Sequence, residues 1–298
     1  MSLISHTSIR DSQSFLKDSR LAATLITRCE LSQEDVVYEI GPGKGTITAQ
    51  LAHRCKKVIA IEKDPILSAL LARNGPAYPN VTIHNGDFLE HPLPRYPYKV
   101  FSNIPFNITS AIVTRLTTAP NPPEDAYLFI QKEAAEMYLG QPSETLRSVL
   151  LKPWFEMEIV HSFHRYDFTP VPSVDVVLLR LRKRRPPLVN HANRQSFRDF
   201  VAYTFTTWRP TLGAILKDVF SWGQLKQISR EFRIDLGVTP TGLRFEQWLH
   251  LFKCYQLNAS PRARGIIAGS ERRLHHQQKR LQKIHRTRNR AYGMKVEI

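Results

Sequence analysis

A glycine-rich turn between an apolar strand and a helix is the feature that most limits the fold. Residues 36–40 (VVYEI) have the apolar character of a buried strand, and residues 41–54 (GPGKGTITAQLAHR) set three glycines before a helical pattern. Glycine allows backbone conformations that other residues avoid and lets the backbone approach a ligand closely. The turn predicts an α/β fold with a ligand site, and by itself it leaves NAD, FAD and S-adenosylmethionine open as ligands.

Strand and helix patterns alternate along the first two thirds of the chain. After the turn, strand patterns occur at 58–64 (VIAIEKD), 81–88 (VTIHNGDF), 98–105 (YKVFSNIP) and 126–131 (AYLFIQ), and most are separated by helical segments. The segments at 155–163 and 174–184 are typical of closing strands. This order predicts a parallel, doubly wound sheet with helices on both faces, which is a Rossmann-like architecture.

A charged run followed by two prolines at 183–188 (KRRPPL) predicts a domain boundary. The segment 193–257 contains helical patterns and no convincing strand, which indicates a small helical domain. From Ser260 onward, eleven Lys or Arg face two Glu, a charge excess typical of an unfolded basic segment. We therefore predict a catalytic domain over 1–185, a helical RNA-binding domain over 186–258 and a flexible basic tail over 259–298.

The overall charge indicates a polyanionic partner. The chain carries 42 Lys and Arg against 26 Asp and Glu, a net charge of +16, which favours nucleic acid or an anionic membrane surface. No stretch approaches the length of a membrane span, and the N-terminus is too polar for a signal peptide. The three cysteines are scattered without metal-ligand spacing. We expect a cytoplasmic protein with no metal site.

Two acidic residues follow consecutive predicted strands. Glu62 ends the second strand about twenty residues after the glycine turn, where an acid can accept both ribose hydroxyls of an adenosine cofactor. Asp87 follows the third strand and can accept from an adenine amino group. The alternatives are a solvated strand end for Glu62 and a helix cap for Asp87. Ligands of open α/β sheets bind at this strand edge, which favours the cofactor interpretation.

The fourth strand leads into Asn103-Ile104-Pro105-Phe106. The Asn103 carboxamide oxygen and the Ile104 carbonyl can accept the two hydrogens of an adenine N6 amine, so that its lone pair points at a methyl donor. Pro105 stiffens the loop, and Phe106 offers a face on which an unstacked base can lie. The alternative is a proline-containing turn with a buried phenylalanine. This motif favours methyl transfer over hydride transfer and so favours S-adenosylmethionine.

These motifs resemble the erythromycin-resistance (Erm) rRNA adenine N6-methyltransferases, within the group that includes the small-subunit rRNA dimethyladenosine transferases. The resemblance covers most of residues 10–255. It rests on the following segments: Gln13-Ser14-Phe15-Leu16, where the family has Asn in place of Ser14, Glu39 to Gly45, Glu62, Asn85-Gly86-Asp87, Asn103 to Phe106, Phe168 to Val174, and Trp208 to Leu212. Phe168 is implied to pack near the target base; the alternative is a core residue.

The resemblance implies an S-adenosylmethionine-dependent enzyme that methylates N6 of a specific adenine in 23S rRNA and confers macrolide, lincosamide and streptogramin B resistance. The adenine must be single-stranded or flipped, and we expect a monomer that acts before full ribosome assembly. Alternatives are a 16S-type dimethyltransferase and a non-catalytic rRNA-binding assembly factor. The implied catalytic residues are Asn103, Ile104, Pro105, Phe106 and Phe168. The implied cofactor-binding residues are Ser14, Leu16, Gly41, Gly43, Glu62, Asp87 and Asn103.

Overall fold

The computed structural model describes residues 14–74 and 78–278. The predicted element at Gln13 and the basic residues from Lys279 onward lie outside these ranges. The chain divides into two compact units. The first contains the segment up to Leu139 together with Phe155–Arg185, and the second contains Gly140–Trp154 and everything from Pro186 onward. The sequence-based division placed residues 140–154 with the catalytic domain, and the contacts group them with the helical part.

A seven-stranded sheet forms the centre of the first unit. Its strands are β2 (Val36–Ile40), β3 (Lys57–Glu62), β4 (Val81–Asn85), β5 (Lys99–Asn103), β6 (Asp125–Gln131), β7 (Phe155–Ser162) and β9 (Val176–Lys183). Their order across the sheet is β4-β3-β2-β5-β6-β9-β7. Two short strands, β1 (Phe15–Leu16) and β8 (Phe168–Thr169), form a separate antiparallel pair. The predicted α/β class and the predicted strands are confirmed.

Helices connect the strands and cover the sheet. In the first unit they are α1 (Ser19–Arg28), α2 (Thr46–Arg54), α3 (Pro65–Asn74), α4 (Thr109–Thr118) and α5 (Lys132–Leu139). Local chemistry sets some of their ends: the Asp18 carboxylate accepts from the Arg20 amide at 2.7 Å and caps α1, while Pro65 begins α3. Within the described residues, no helix is long and apolar enough to cross a membrane.

One strand of the sheet runs against the others, which corrects the prediction of an all-parallel sheet. β9 pairs antiparallel with both β6 and β7, while β2 to β6 pair in parallel. The chain leaves β7, passes through β8 and returns between β6 and β7. The apolar pattern of a strand carries no information about its direction, because side-chain alternation is the same in both directions.

A buried apolar cluster holds the first unit together. It joins side chains from the sheet, from α1 and α2, and from the short β1–β8 pair. Phe129 stacks on Phe163 with ring centroids 4.8 Å apart, and Phe163 meets the edge of Phe168 at 5.2 Å. The two short strands are thereby fixed to the central sheet, although each has only two residues.

The second unit is helical over its described residues. Its helices are α6 (Leu146–Leu151), α7 (Arg194–Thr206), α8 (Leu212–Leu216), α9 (Trp222–Phe232), α10 (Phe245–Asn258) and α11 (Pro261–Ile267), and residues 270–278 are also helical. Phe197 and Phe200 of α7 contact Phe252 of α10 with centroids 5.0 and 6.0 Å apart. Ser221 and Gln224 form a capping box that begins α9.

The first half of the predicted flexible tail is folded, which corrects that prediction for residues 259–278. Ala263 and Ile267 are buried, and the buried Glu271 pairs with Arg198 of α7. The Asp199 carboxylate accepts from the backbone amide of Glu271 at 3.0 Å and caps the last described helix. Buried apolar side chains, one ion pair and this capping contact hold the segment on α7, although its composition is that of a solvated tail.

Arginine side chains in this segment complete helix ends. Arg264 donates to the carbonyls of Gln256 and Ala259 at the end of α10, at 2.6 and 3.1 Å. Arg273 donates to the carbonyls of Ile266 and Ala268, at 3.0 and 2.8 Å, at the end of α11. These cations satisfy carbonyls that a helix leaves without intrahelical partners. Their charge is therefore used within the fold.

Candidate active site

The candidate site lies at the carboxyl ends of the central strands, where strand order reverses. β2 lies between β3 and β5, so the connections from β2 and from β5 leave in opposite directions along the sheet. Open α/β sheets bind ligands at such a point. The hydroxyl of Ser102 bridges the two strands there: it accepts from the Ile40 amide at 3.0 Å and donates to the Ile40 carbonyl at 2.5 Å. A hydroxyl bridge thus continues the β2–β5 pairing into the site.

The turn after β2 requires its glycines. Gly41, Gly43 and Gly45 have φ angles of 66°, 59° and 84°, a region that residues with a Cβ rarely adopt. A Cβ on Gly43 would lie 2.3 Å from Cε1 of Phe15, and one on Gly45 would lie 2.6 Å from Cδ2 of Leu71. The aromatic ring of the N-terminal element therefore covers the turn. Phe15 lies in a segment that carries the family resemblance, but the sequence alone does not predict its contact with the turn.

The Glu62 carboxylate connects the glycine turn to the end of β3. One oxygen accepts from the Gly43 amide at 3.0 Å and the other accepts from the Asp64 amide at 2.9 Å. The side chain is only 4% exposed. The backbone carbonyl of Glu62 also accepts from the Gly86 amide at 2.8 Å, which ties the end of β4 to the same residue. The alternative of a solvated strand end is thus wrong for Glu62, because the carboxylate is buried and hydrogen-bonded.

The partly buried Asp87 forms an ion pair with the exposed Lys63. Its Oδ2 is 2.8 Å from the Lys63 ammonium, and its Oδ1 accepts from the Leu89 amide at 2.9 Å. The hydrogen bond from Lys63 holds the pKa of Asp87 below its usual value. This amide contact belongs to a turn, because no helix begins between β4 and β5, and the helix cap that the sequence left as an alternative is therefore wrong. Because each carboxylate oxygen has two lone pairs, this contact leaves the predicted adenine interaction open.

The side-chain amide of Asn103 is held in one orientation. Its Nδ2 donates to the Ser14 backbone carbonyl at 2.7 Å. The Oδ1 atom is therefore turned away from Ser14 and accepts no hydrogen bond from the residues that the structure describes. Because Ser14 makes this contact through its main chain, serine serves here as well as the asparagine of the related enzymes would. Leu16 is buried in the core, so a ligand could reach only its backbone.

The residues after Asn103 form a short, rigid connection that leads out of the sheet. Ile104 is buried, which anchors this connection. Pro105 has an extended conformation (φ −61°, ψ 126°), and its carbonyl accepts from the Ile108 amide at 3.2 Å. Phe106 is partly exposed and packs against the apolar cluster of the first unit. One part of the Phe106 ring is supported by the core, and another part is open to solvent.

The implied catalytic role of Phe168 is contradicted by its position. The side chain is 0% exposed and packs edge-on against Phe163 within the apolar cluster. Its strand pairs with β1, so that Phe168 lies opposite Leu16. No face of the ring is available to a nucleotide base. The aromatic spacing of the loop is the same for a core residue and for a base contact, and only the packing distinguishes the two.

Glu39 lies in β2, two residues before the glycine turn, and its position in the sequence does not predict a role at the site. It is 1% exposed, and its Oε2 has no hydrogen-bond partner within the described part of the chain. Burial raises the pKa of Glu39 to about 8; the Thr48 side chain opposes this rise and the nearby Glu62 adds to it. The sequence does contain a sign of such a role, since Glu39 is a carboxyl within an otherwise apolar strand. Acidic side chains are rarely buried, because burial of a charge is costly, and those that are buried often belong to a functional site.

The predicted site residues therefore meet at one edge of the sheet, with the exception of Phe168. In the ranges 14–74 and 78–278, no group of His, Cys, Asp and Glu has the arrangement of a metal site. A glycine turn at the reversal of strand order, with an oriented carboxamide on the neighbouring strand, is the arrangement of a Rossmann-like methyltransferase.

Comparison with known proteins identifies the family. The model of the ribosomal RNA adenine dimethylase family matches residues 4–257. An rRNA adenine N-6-methyltransferase of Saccharopolyspora erythraea is 33% identical over 251 residues, which are 84% of this chain and 66% of that relative, just under two thirds of its length. Ribosomal RNA small subunit methyltransferase A of Thermotoga maritima is 32% identical over 245 residues, 81% of this chain and 85% of the relative.

A solved structure agrees with these matches. The crystal structure of the 23S rRNA methyltransferase ErmE has a TM-score of 0.75 and 32% sequence identity, and covers 81% of this chain and 99% of its own. The chain belongs to the ribosomal RNA adenine dimethylase family, and it is an S-adenosylmethionine-dependent rRNA adenine N6-methyltransferase. The resemblance to this group is confirmed.

Proposed function

We propose that the chain methylates N6 of one adenine in 23S rRNA and thereby confers resistance to macrolide, lincosamide and streptogramin B antibiotics. The observation that carries the chemistry is the fixed orientation of Asn103, whose Nδ2 is bound to Ser14 while Oδ1 is unengaged among the described residues. An acceptor in this state suits an amino group that must present two hydrogens. The partly exposed Phe106, three residues further on, suits the ring that carries this amino group.

Residues of this chain position the adenine for transfer. The Asn103 Oδ1 and the Ile104 carbonyl accept the two N6 hydrogens and direct the nitrogen lone pair toward the methyl donor. Phe106 stacks on the base, while Pro105 keeps both acceptors in register with it. S-adenosylmethionine supplies an electrophilic methyl group when it is bound. The nitrogen becomes acidic once methylated and releases its proton to water, so no strong base is required.

The residues at the glycine turn fit this cofactor. Left-handed glycines leave three of the five turn positions, 41–45, without a Cβ atom, and the carboxylate of Glu62 accepts from the amide of the middle one. Glu62 has further lone pairs for ribose hydroxyls, and Asp87 has them for the adenine amino group. We place Ser14, Leu16, Gly41, Gly43 and Asn103 around the rest of the cofactor, with Leu16 contacting it only through its backbone.

The proposal of a 23S target rests on the likeness to ErmE, which is a 23S rRNA methyltransferase. The target adenine must be single-stranded or flipped, because N6 of a paired adenine is engaged in the duplex. We infer that a monomer acts on RNA before the ribosome is fully assembled. A 16S-type target is the second candidate, because the Thermotoga maritima small subunit methyltransferase is almost equally similar in sequence.

Primer extension tests the target. Cells that express the protein should show a reverse-transcriptase stop at one 23S adenine, and cells that express Asn103→Ala should lack it. Erythromycin resistance should follow the stop. A stop in 16S rRNA with clean 23S rRNA would replace the first candidate with the second. Absence of a stop in both RNAs, combined with no calorimetric binding of S-adenosylmethionine, would indicate an assembly factor without activity.

A further inference from the structure

A fully exposed tryptophan lies between α7 and α8. Trp208 is 100% exposed, more than any other large hydrophobic side chain within the described residues. The other three tryptophans differ from it. Trp154 and Trp248 are buried, and Trp222 is 64% exposed with the Lys226 ammonium 5.5 Å above its ring. Trp208 is therefore an aromatic surface on which no other described side chain packs.

The backbone on both sides of Trp208 is held in place. The Thr207 amide and hydroxyl donate to the Tyr203 carbonyl at 3.0 and 2.8 Å. On the other side, the Arg209 guanidinium donates to the Ala214 carbonyl at 2.7 Å and pairs with Asp218 at 2.7 Å. These contacts hold the backbone that carries the indole, so a ligand that covers the ring does not have to order the backbone first.

The surroundings of Trp208 favour a single flat ligand. Its sequence neighbours are Thr206, Thr207, Arg209 and Pro210, so its own loop adds no large apolar side chain to the ring. A protein partner requires a contiguous interface on the order of 1,000 Å², whereas one base requires one ring. The net charge of +16 attracts RNA to the protein. RNA around an accessible target adenine also contains other unpaired bases.

We propose that an unpaired rRNA base, other than the target adenine, stacks on Trp208 and contributes to substrate affinity. The proposal rests on the proposed function only in requiring an rRNA substrate, whichever subunit it comes from. Because Arg209 is engaged with Asp218 and Ala214, the contact is made by the indole ring, and the neighbouring guanidinium is not needed for it.

Binding of a protein-free rRNA transcript tests the proposal, with the transcript taken from whichever RNA the wild type methylates in primer extension. Trp208→Ala should raise the Kd for RNA by about 5- to 150-fold, the range for loss of one stacked base, and raise KM for RNA without changing kcat. Trp208→Phe should restore most of the affinity. Trp222→Ala is the matched control and should change the Kd less than twofold, because the Lys226 ammonium lies over one face of its ring and the proposal places no base on it.

Two probes separate stacking from other roles. The weakening by Trp208→Ala should appear with a single-stranded adenine-rich oligoribonucleotide and be absent with a blunt RNA duplex. RNA should quench the fluorescence of Trp222→Phe and have little effect on that of Trp208→Phe. Unchanged RNA affinity in Trp208→Ala would overturn the proposal, as would equal weakening on duplex and single strand. A dimer lost in Trp208→Ala without a change in RNA binding would instead identify a protein interface and also overturn it.

Discussion

Two buried glutamates, one in each unit, have pKa values that are shifted in opposite directions. Glu39 beneath the glycine turn is 1% exposed with an unpartnered oxygen, and burial raises its pKa to about 8. Glu271 in the C-terminal segment is 6% exposed, and burial also opposes its ionisation, but its contact with Arg198 outweighs this and lowers its pKa. Burial alone would raise the pKa of both glutamates. The two differ because, among the described residues, only Glu271 has a cationic partner, Arg198.

The difference distinguishes a site from a structural joint. A buried polar atom without a partner destabilises the fold and persists where it has another use, as at a ligand site. A buried carboxylate that is paired and hydrogen-bonded, as Glu271 is with Arg198 and Gln195, completes the packing of a segment. The sheet edge that carries the candidate site therefore retains unused hydrogen-bonding capacity. The C-terminal segment uses its hydrogen-bonding groups within the fold.

The largest expected effect is on the pH dependence of stability at Glu39. The folded protein holds the proton to about pH 8, whereas the unfolded chain releases it near 4.5. Stability should therefore fall as pH rises between these values, by a few kcal/mol. Glu39→Gln should remove this loss, so that urea unfolding shows the variant to be the more stable protein at pH 8. The exposed Glu34→Gln is the control, and an identical pH profile for Glu39→Gln would contradict the assignment.

At the other glutamate the sign is reversed. Glu271→Gln should lower the free energy of unfolding at pH 7 by about 3 kcal/mol, because it leaves the Arg198 cation buried without a counter-charge. The pKa of Glu271 is lowered in the fold, so this deficit should be full above pH 4.5 and shrink as pH falls further. The exposed Glu246→Gln on α10 should change little. A fully stable Glu271→Gln would mean that the segment does not depend on this pair.

Turnover tests the unused acceptor on the catalytic side. Asn103→Ala should reduce kcat by at least about a hundredfold, as expected for removal of one preorganised hydrogen-bonding group. Calorimetry should find binding of S-adenosylmethionine nearly intact. Asn107→Ala, four residues further on and exposed, provides a matched control with expected wild-type turnover. Comparable kcat values for the two variants would remove Asn103 from the chemistry.

The smallest effects compare one glycine from each region. Gly43→Ala should lower the free energy of unfolding by about 2 kcal/mol and weaken cofactor binding, because of its positive φ and the contact with Phe15. Gly265→Ala should stabilise the protein by about 0.5–1 kcal/mol, since it lies within α11 and its Cβ would meet open space. Thermal unfolding measures both, and a shift of the same sign in both would contradict the distinction.

Much of the candidate site could be predicted because its residues are close together within short segments of the sequence. The turn at Gly41 to Gly45 needs positive φ angles, and only glycine adopts them at low cost, so the requirement is visible in the residues themselves. Asn103 to Phe106 likewise combines an acceptor, a rigid step and a ring within four positions. Glu62 could be placed because parallel strands bring their carboxyl ends to one edge.

The sequence by itself determined the class of fold, the strands of the central sheet, and the glycine turn and the motif at Asn103 that lie at its edge. Tertiary structure alone decided the direction of β9, the burial of Phe168 and the use of Arg264 and Arg273 as caps in a segment with the composition of a solvated tail. The physical reason is that backbone conformation depends on neighbouring residues, which a sequence shows. The role of a ring or a cation depends on the atoms it meets, and those are brought together from distant positions only by folding.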